Sequence, residues 1–129
     1  MKLVFEATDK FEKDLRRLDP KNRDRIINKI NASCSLLQNQ PSVFFRLVYR
    51  PLIPYLAKGL KSSMYVLRVD SDIRVILTVD EDPIFEQIIM TLLRVVRHND
   101  LDKAFRGIAE ALYQQDLIKF KLGKCDGRD

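Results

Sequence analysis

Three segments of strong β character follow one another too closely to form anything but an antiparallel meander. Met64 to Val69, Ile73 to Val79 and Ile84 to Val96 are rich in Val, Ile and Leu. The first two are joined by Asp70-Ser71-Asp72, and the third is entered through Asp80-Glu81-Asp82-Pro83. A parallel pair needs a crossover of a dozen or more residues, so both connections are hairpins. Alternation places Arg68 on a face with Val66, and Arg74 on a face with Ile76 and Thr78. With Arg94 on the third segment, arginines sit on three successive strands, where they can converge on one surface.

The chain before the meander reads as a strand and two helices. Residues 2–7 alternate as a short strand. Thr8 or Asp9 can cap a helix, and Asp9 with Glu12 has the spacing of a capping box. Phe11, Leu15 and Leu18 share one face of that helix. Asp19-Pro20 ends it and opens the next, with Asp19 as N-cap and Pro20 at the first helical position. The second helix is expected to run to about Gln38, burying a stripe of Ile26, Ile27, Ile30, Cys34 and Leu37. The pair reads as an antiparallel helical hairpin covering a sheet.

Residues 41–57 are apolar, aromatic and basic together. They read either as an edge strand packed on the core or as an extended arm that contacts a partner; Pro51 and Pro54 exclude a central strand. A last amphipathic helix begins near Asn99 or Asp100 and carries Leu101, Phe105, Ile108, Leu112 and Tyr113, with Gly107 as a point of bending. The tail 123–129 is polar and expected to fray. The whole is one α+β domain over residues 1–122: a strand, a helical hairpin, a three-stranded antiparallel meander and a C-terminal helix, with the helices on one side of the sheet. Residues 41–57 form an insertion and 107–122 extend the last helix.

Residue counts narrow the chemistry. His98 is the single histidine, so zinc patterns that need two are excluded. Cys34 and Cys125 lack the C-x-x-C spacing of a zinc ribbon or thioredoxin-type site and read as free thiols. Neither of the glycine-rich phosphate loops of nucleotide enzymes occurs. No apolar run approaches the roughly 20 residues that cross a bilayer. The start of the chain has no signal-peptide core, so a cytoplasmic location is expected. Residues 41–79 carry six basic side chains against two acidic ones, and residues 80–86 then hold four acids. A basic block on a small domain suggests an anionic partner, nucleic acid or an acidic protein segment, or simply a solvated surface.

Two stretches carry a resemblance to the RelE/ParE toxin superfamily of prokaryotic toxin–antitoxin systems. Phe11-Glu12-Lys13-Asp14-Leu15-Arg16-Arg17-Leu18 is similar to the rhythm of that family's first helix. The run from Leu60-Lys61 through Leu67-Arg68-Val69-Asp70-Ser71-Asp72-Ile73-Arg74-Val75-Ile76 resembles its central hairpin. Leu92-Leu93-Arg94-Val95-Val96-Arg97-His98 is similar to its final strand, and the likeness spans residues 2–106 in order. The resemblance implies a toxin held by a cognate antitoxin in a hetero-oligomer, with no cofactor or metal. RelE-like members cut mRNA on the ribosome as metal-independent endoribonucleases; ParE-like members inhibit DNA gyrase without catalysis.

The resemblance also implies site residues. Cutting RNA without metal needs a group to take the 2′-hydroxyl proton, one to protonate the leaving oxygen, and cations to stabilise the phosphorane. Arg74 matches the family's phosphate-stabilising arginine; its alternative role is a salt bridge to Asp70 or Asp72. His98 falls at an acid/base position, or else caps the last helix. Arg97 is an alternative phosphate ligand. Lys58, Lys61 and Arg68 match positions that hold RNA, and Phe105 stands where many members carry a tyrosine, able to stack on a base but not to exchange a proton. Tyr65, Val66 and Leu67 occupy a strand on which some RelE-like nucleases carry lysines. The acid/base set is therefore incomplete against the RelE pattern, which counts toward the gyrase inhibitor or a weakened nuclease; the leading expectation is still a ribosome-dependent mRNA endoribonuclease that inhibits translation, with Arg74 and His98 as its main site residues.

Overall fold

The computed structural model describes residues 2–51 and 63–122. Its elements are β1 (Lys2–Ala7), α1 (Asp9–Arg16), α2 (Pro20–Asn39), α3 (Pro41–Leu47), β2 (Val48–Tyr49), β3 (Met64–Arg68), β4 (Ile73–Asp82), β5 (Gln87–Arg97), a 3-10 turn at His98–Asp100, and α4 (Leu101–Leu122). The strands form one sheet in the order β1-β5-β4-β3-β2. β3, β4 and β5 make the expected antiparallel meander, and β1 joins β5 in parallel.

β4 shows how the layers are built. Ile73 through Thr78 are all buried, as a strand covered on both faces requires. Val75 and Leu77 join a core with Phe11 of α1, Ile26, Ile30, Cys34 and Leu37 of α2, and Phe44 of α3. Ile76, between them in sequence, joins a second core with Met64, Val66, Leu101, Phe105 and Ala109. Side chains alternate across a strand, so these cores lie on opposite faces. The expectation that all helices share one side is corrected: α4 covers the other face, and runs through Gly107.

The insertion is corrected as well. Residues 41–47 are helical, not extended. Pro41 sits at the first helical position, and the Gln40 carbonyl accepts from Val43 and Phe44 N–H. Phe44 is fully buried, and burying such a ring contributes about 1.5–3 kcal/mol. The chain becomes a strand only at Val48–Tyr49, an edge pair ending before Arg50-Pro51. In α2, Ile27 faces solvent, and Ser33 takes the buried place beside Cys34. Ser33 Oγ donates to the Lys29 carbonyl, which makes its burial tolerable. β4 extends to Asp82, so Ile84 and Phe85 lie exposed in the turn before β5 rather than on it.

α1 is capped by Thr8, not Asp9. Thr8 Oγ1 accepts from Phe11 N–H, which leaves Glu12 outside any capping box. Asp19 caps α2 through Asn22 N–H, as expected.

A bulge in β5 fixes how α1 meets the sheet. Ile76 is opposite Arg94 while Leu77 is opposite Leu92, so Leu93 is the extra residue. The extra residue lets Leu92 and Val95, three apart, face the same core, and Leu93 and Val96 the other. β1 stops there, and α1 supplies the missing hydrogen-bond partners. Thr8 Oγ1 donates to the Leu93 carbonyl (2.9 Å), and Asp14 Oδ2 accepts from Val95 N–H (2.9 Å). Arg94 swings out to a two-point ion pair with Asp14, at 2.7 and 3.2 Å.

Candidate functional site

The β3–β4 turn and the end of β5 meet at one end of the sheet, and Asp70 organises that end. Asp70 Oδ1 accepts from the backbone N–H of Asp72 (2.8 Å) and Ile73 (2.7 Å), closing the turn. Its Oδ2 accepts from Arg25 Nη1 of α2 at 2.8 Å. The two backbone bonds, helped by Arg25, hold the Asp70 carboxyl below the usual carboxylate range.

Arg68 and Arg74 are directly opposite in the register, where like charges repel. The Asp70 carbonyl takes both: Arg74 Nη1 donates to it at 2.6 Å and Arg68 Nε at 3.3 Å. Arg74 also donates to the carbonyls of Ile73 (3.2 Å) and Ser71 (3.4 Å). It is 5% exposed. The expectation that Arg74 offers its guanidinium to a phosphate is therefore corrected. Its Nη1 and Nη2 donors go to carbonyls of the turn rather than to the carboxylates of Asp70 and Asp72, and its Nε is buried without a partner among the described residues.

One further Arg74 contact leads outward. Arg74 Nη2 lies 3.3 Å from His98 Nδ1. A guanidinium only donates, so Nδ1 must accept. The proton of a neutral His98 is then on Nε2, which has no protein partner among the described residues. The His98 backbone N–H donates to the Asp72 carbonyl (2.6 Å), so backbone and ring are both tied to the turn. His98 itself is exposed and opens the 3-10 turn before α4.

Arg97 is exposed, as Arg25 and Arg68 are, and pairs with Asp72. Both partners are well solvated, so that pair is worth about 0–1 kcal/mol and yields readily to a competing anion. Chemically, the sheet end presents two adjacent donors to solvent: the Arg97 guanidinium and the His98 Nε2–H. Four arginines, Arg25, Arg68, Arg74 and Arg97, surround two acids, Asp70 and Asp72, so the site favours an anion. Its exposed acceptor is the Asp72 carboxylate, which Arg97 engages.

The other sequence candidates fall elsewhere. Phe105 is 6% exposed and packs in the second core, so it is a packing residue rather than a base-stacking one. Lys58 and Lys61 lie outside the described residues. Arg94 does not join Arg68 and Arg74; the bulge turns it to Asp14. Tyr65 lies under Arg50, whose guanidinium carbon is 4.6 Å from the ring centre and whose Nη2 donates to the tyrosine hydroxyl at 3.0 Å. Sequence reasoning missed Arg25, which no motif marks. It also missed the turn role of Asp70, which the Asp70-Ser71-Asp72 pattern could have suggested. Among the described residues, no group of three or more His, Cys, Asp or Glu side chains is placed to hold a metal, and no helix is long and apolar enough to cross a membrane.

Neither a protein-family model nor a curated protein matches the sequence. The fold is similar to a chain in the crystal structure of the toxin–antitoxin complex RelBE2 from Mycobacterium tuberculosis. The identity is 18% and the TM-score 0.48, over 76% of this chain and 100% of that one.

Proposed function

We propose that this chain is the toxin of a type II toxin–antitoxin system and cleaves mRNA on the ribosome in the cytoplasm. The observation that carries the reading is the pair of donors at the sheet end, Arg97 and the Nε2–H of an Arg74-held His98. They fall in the segment whose sequence resembles the final strand of RelE-like toxins. In this reading the 2′-hydroxyl gives its proton to water and attacks its own 3′-phosphate, the bond to the 5′-oxygen breaks to leave a 2′,3′-cyclic phosphate and a 5′-hydroxyl that takes its proton from water, and Arg97 and His98 stabilise the charge that builds on the phosphorane. Arg74 is a positioning residue: it holds the imidazole and its tautomer, and does not touch RNA. A cognate antitoxin restrains the toxin by covering this basic end.

One observation favours a second reading, a gyrase inhibitor without catalysis. The exposed carboxylate of the site, Asp72, is engaged by Arg97, and the arginine expected to meet the phosphate is buried. Cell-free translation with purified protein, followed by primer extension on the mRNA, separates the two. New ends within translated codons support the nuclease. Intact mRNA with undiminished translation, together with inhibited supercoiling by gyrase, supports the alternative.

A further inference from the structure

A second cationic feature adjoins the sheet end and shares Arg97 with the site described above. α1 and α4 flank the end of β5 from opposite faces of the sheet and leave a groove of about 770 Å³. Lys10 and Arg17, two turns apart on a single face, line it from the α1 side, and Lys103 lines it from α4. All three are exposed. No ion pair engages any of them among the described residues, whereas Arg94 in the floor is neutralised by Asp14. Asp100 is the one other acid along the groove, and Arg97, next in sequence to His98, also lines it.

Beside Lys103 and Ile108, the α4 wall of the groove carries the small residues Ala104, Gly107 and Ala111. Gly107 has no packing reason to be glycine: a Cβ added there meets nothing within 4 Å. A glycine inside a helix costs stability, and here it leaves room between two cationic rims.

We propose that this groove binds the phosphodiester backbone of single-stranded RNA and leads it to Arg97 and His98. Unpaired cations on two facing rims suit a flexible chain with a charge on every unit. The choice of RNA over an acidic peptide rests on the nuclease reading, because the groove shares Arg97 with the site assigned to the reaction.

The test is binding of a fluorescent 2′-O-methyl oligoribonucleotide, which cannot be cleaved, followed by anisotropy over a salt series. Three neutralised phosphates on a single strand give a slope of log K against log salt of about −2. Lys10→Ala, Arg17→Ala and Lys103→Ala each reduce its magnitude by about 0.7. Gly107→Glu, which adds a carboxylate at an exposed groove position where a Cβ meets nothing within 4 Å, weakens binding roughly fivefold at low salt. Gly107→Ala leaves it unchanged.

Binding that ignores all four groove variants overturns the proposal. So does an oligonucleotide that fails to bind while polyglutamate binds and loses affinity in Lys103→Ala, which would assign the groove to an acidic protein segment. The nuclease reading fails separately: a chain that binds as expected yet never cuts translated mRNA supports the groove and removes the reaction.

Discussion

Arg74 Nη2 stands 3.3 Å from His98 Nδ1, and this contact decides which imidazole nitrogen carries the proton. The buried arginine belongs to the β3–β4 turn and the exposed histidine follows β5, so the contact ties the two together. His98 is thereby fixed as an Nε2–H donor pointing away from the turn's own hydrogen bonds.

Long-range ¹H–¹⁵N correlation of the single histidine reads this directly. The expected spectrum for neutral His98 is the Nε2-protonated tautomer, with Nδ1 unprotonated. In Arg74→Ala the tautomers should mix. The same variant strands the carbonyls of Asp70, Ser71 and Ile73 and should lose about 1–3 kcal/mol in urea unfolding. An unchanged tautomer in a folded Arg74→Ala would show that the arginine does not position the ring.

Asp70 gives a pH signature. Its carboxyl is held below its unfolded value, near 3.9, by the Ile73 and Asp72 amides and then Arg25. Its contribution is therefore present above about pH 4 and is lost as pH falls through the lower folded value. Asp70→Asn should be less stable than the parent at pH 7, and the gap should close as pH falls below 4. Urea unfolding at pH 7, 4 and 3 checks this; a gap independent of pH would contradict it.

The meander was legible because alternating Val, Ile and Leu with short polar turns admit few other arrangements. The first helices were legible from Asp19-Pro20 and from the spacing of Phe11, Leu15 and Leu18. Residues 41–47 were not, because Val43-Phe44-Phe45 has β propensity that Pro41 at the first helical position and the burial of Phe44 override. The separate face for α4 was hidden for a different reason: periodicity says that a helix has an apolar side, not which side of a sheet receives it. At the site, Arg74 and His98 were found by resemblance, but the sequence showed no carbonyls, so Arg74 read as an open cation. The β5 bulge has no glycine to mark it, and without it Arg94 looked like a third member of the arginine surface.

The bulge makes its own prediction. Asp14 accepts from both Arg94 and Val95 N–H, and its side chain is 10% exposed. Asp14→Ala leaves an arginine and a backbone donor unpaired at once and should cost about 2–4 kcal/mol. Asp14→Asn keeps the amide acceptor and should cost less. Equal stability of Asp14→Ala and the parent would mean that α1 is not pinned to β5 by this contact.

Phe105 separates packing from recognition. Phe105→Ala should lose about 3–5 kcal/mol, as ring removal from a core does. Phe105→Leu should recover most of the stability and all of the mRNA cleavage. Cleavage lost in a stable Phe105→Leu would return the ring to the RNA-contacting role that its burial argues against.

The most direct test of the account is codon-resolved mRNA cleavage in a cell-free translation reaction, comparing the parent chain with His98→Ala. The account predicts primer-extension stops inside translated codons with the parent and their loss in a folded His98→Ala. Stops of equal strength in both chains would contradict His98 as the reacting group, and translated mRNA left intact by the parent would contradict the nuclease itself.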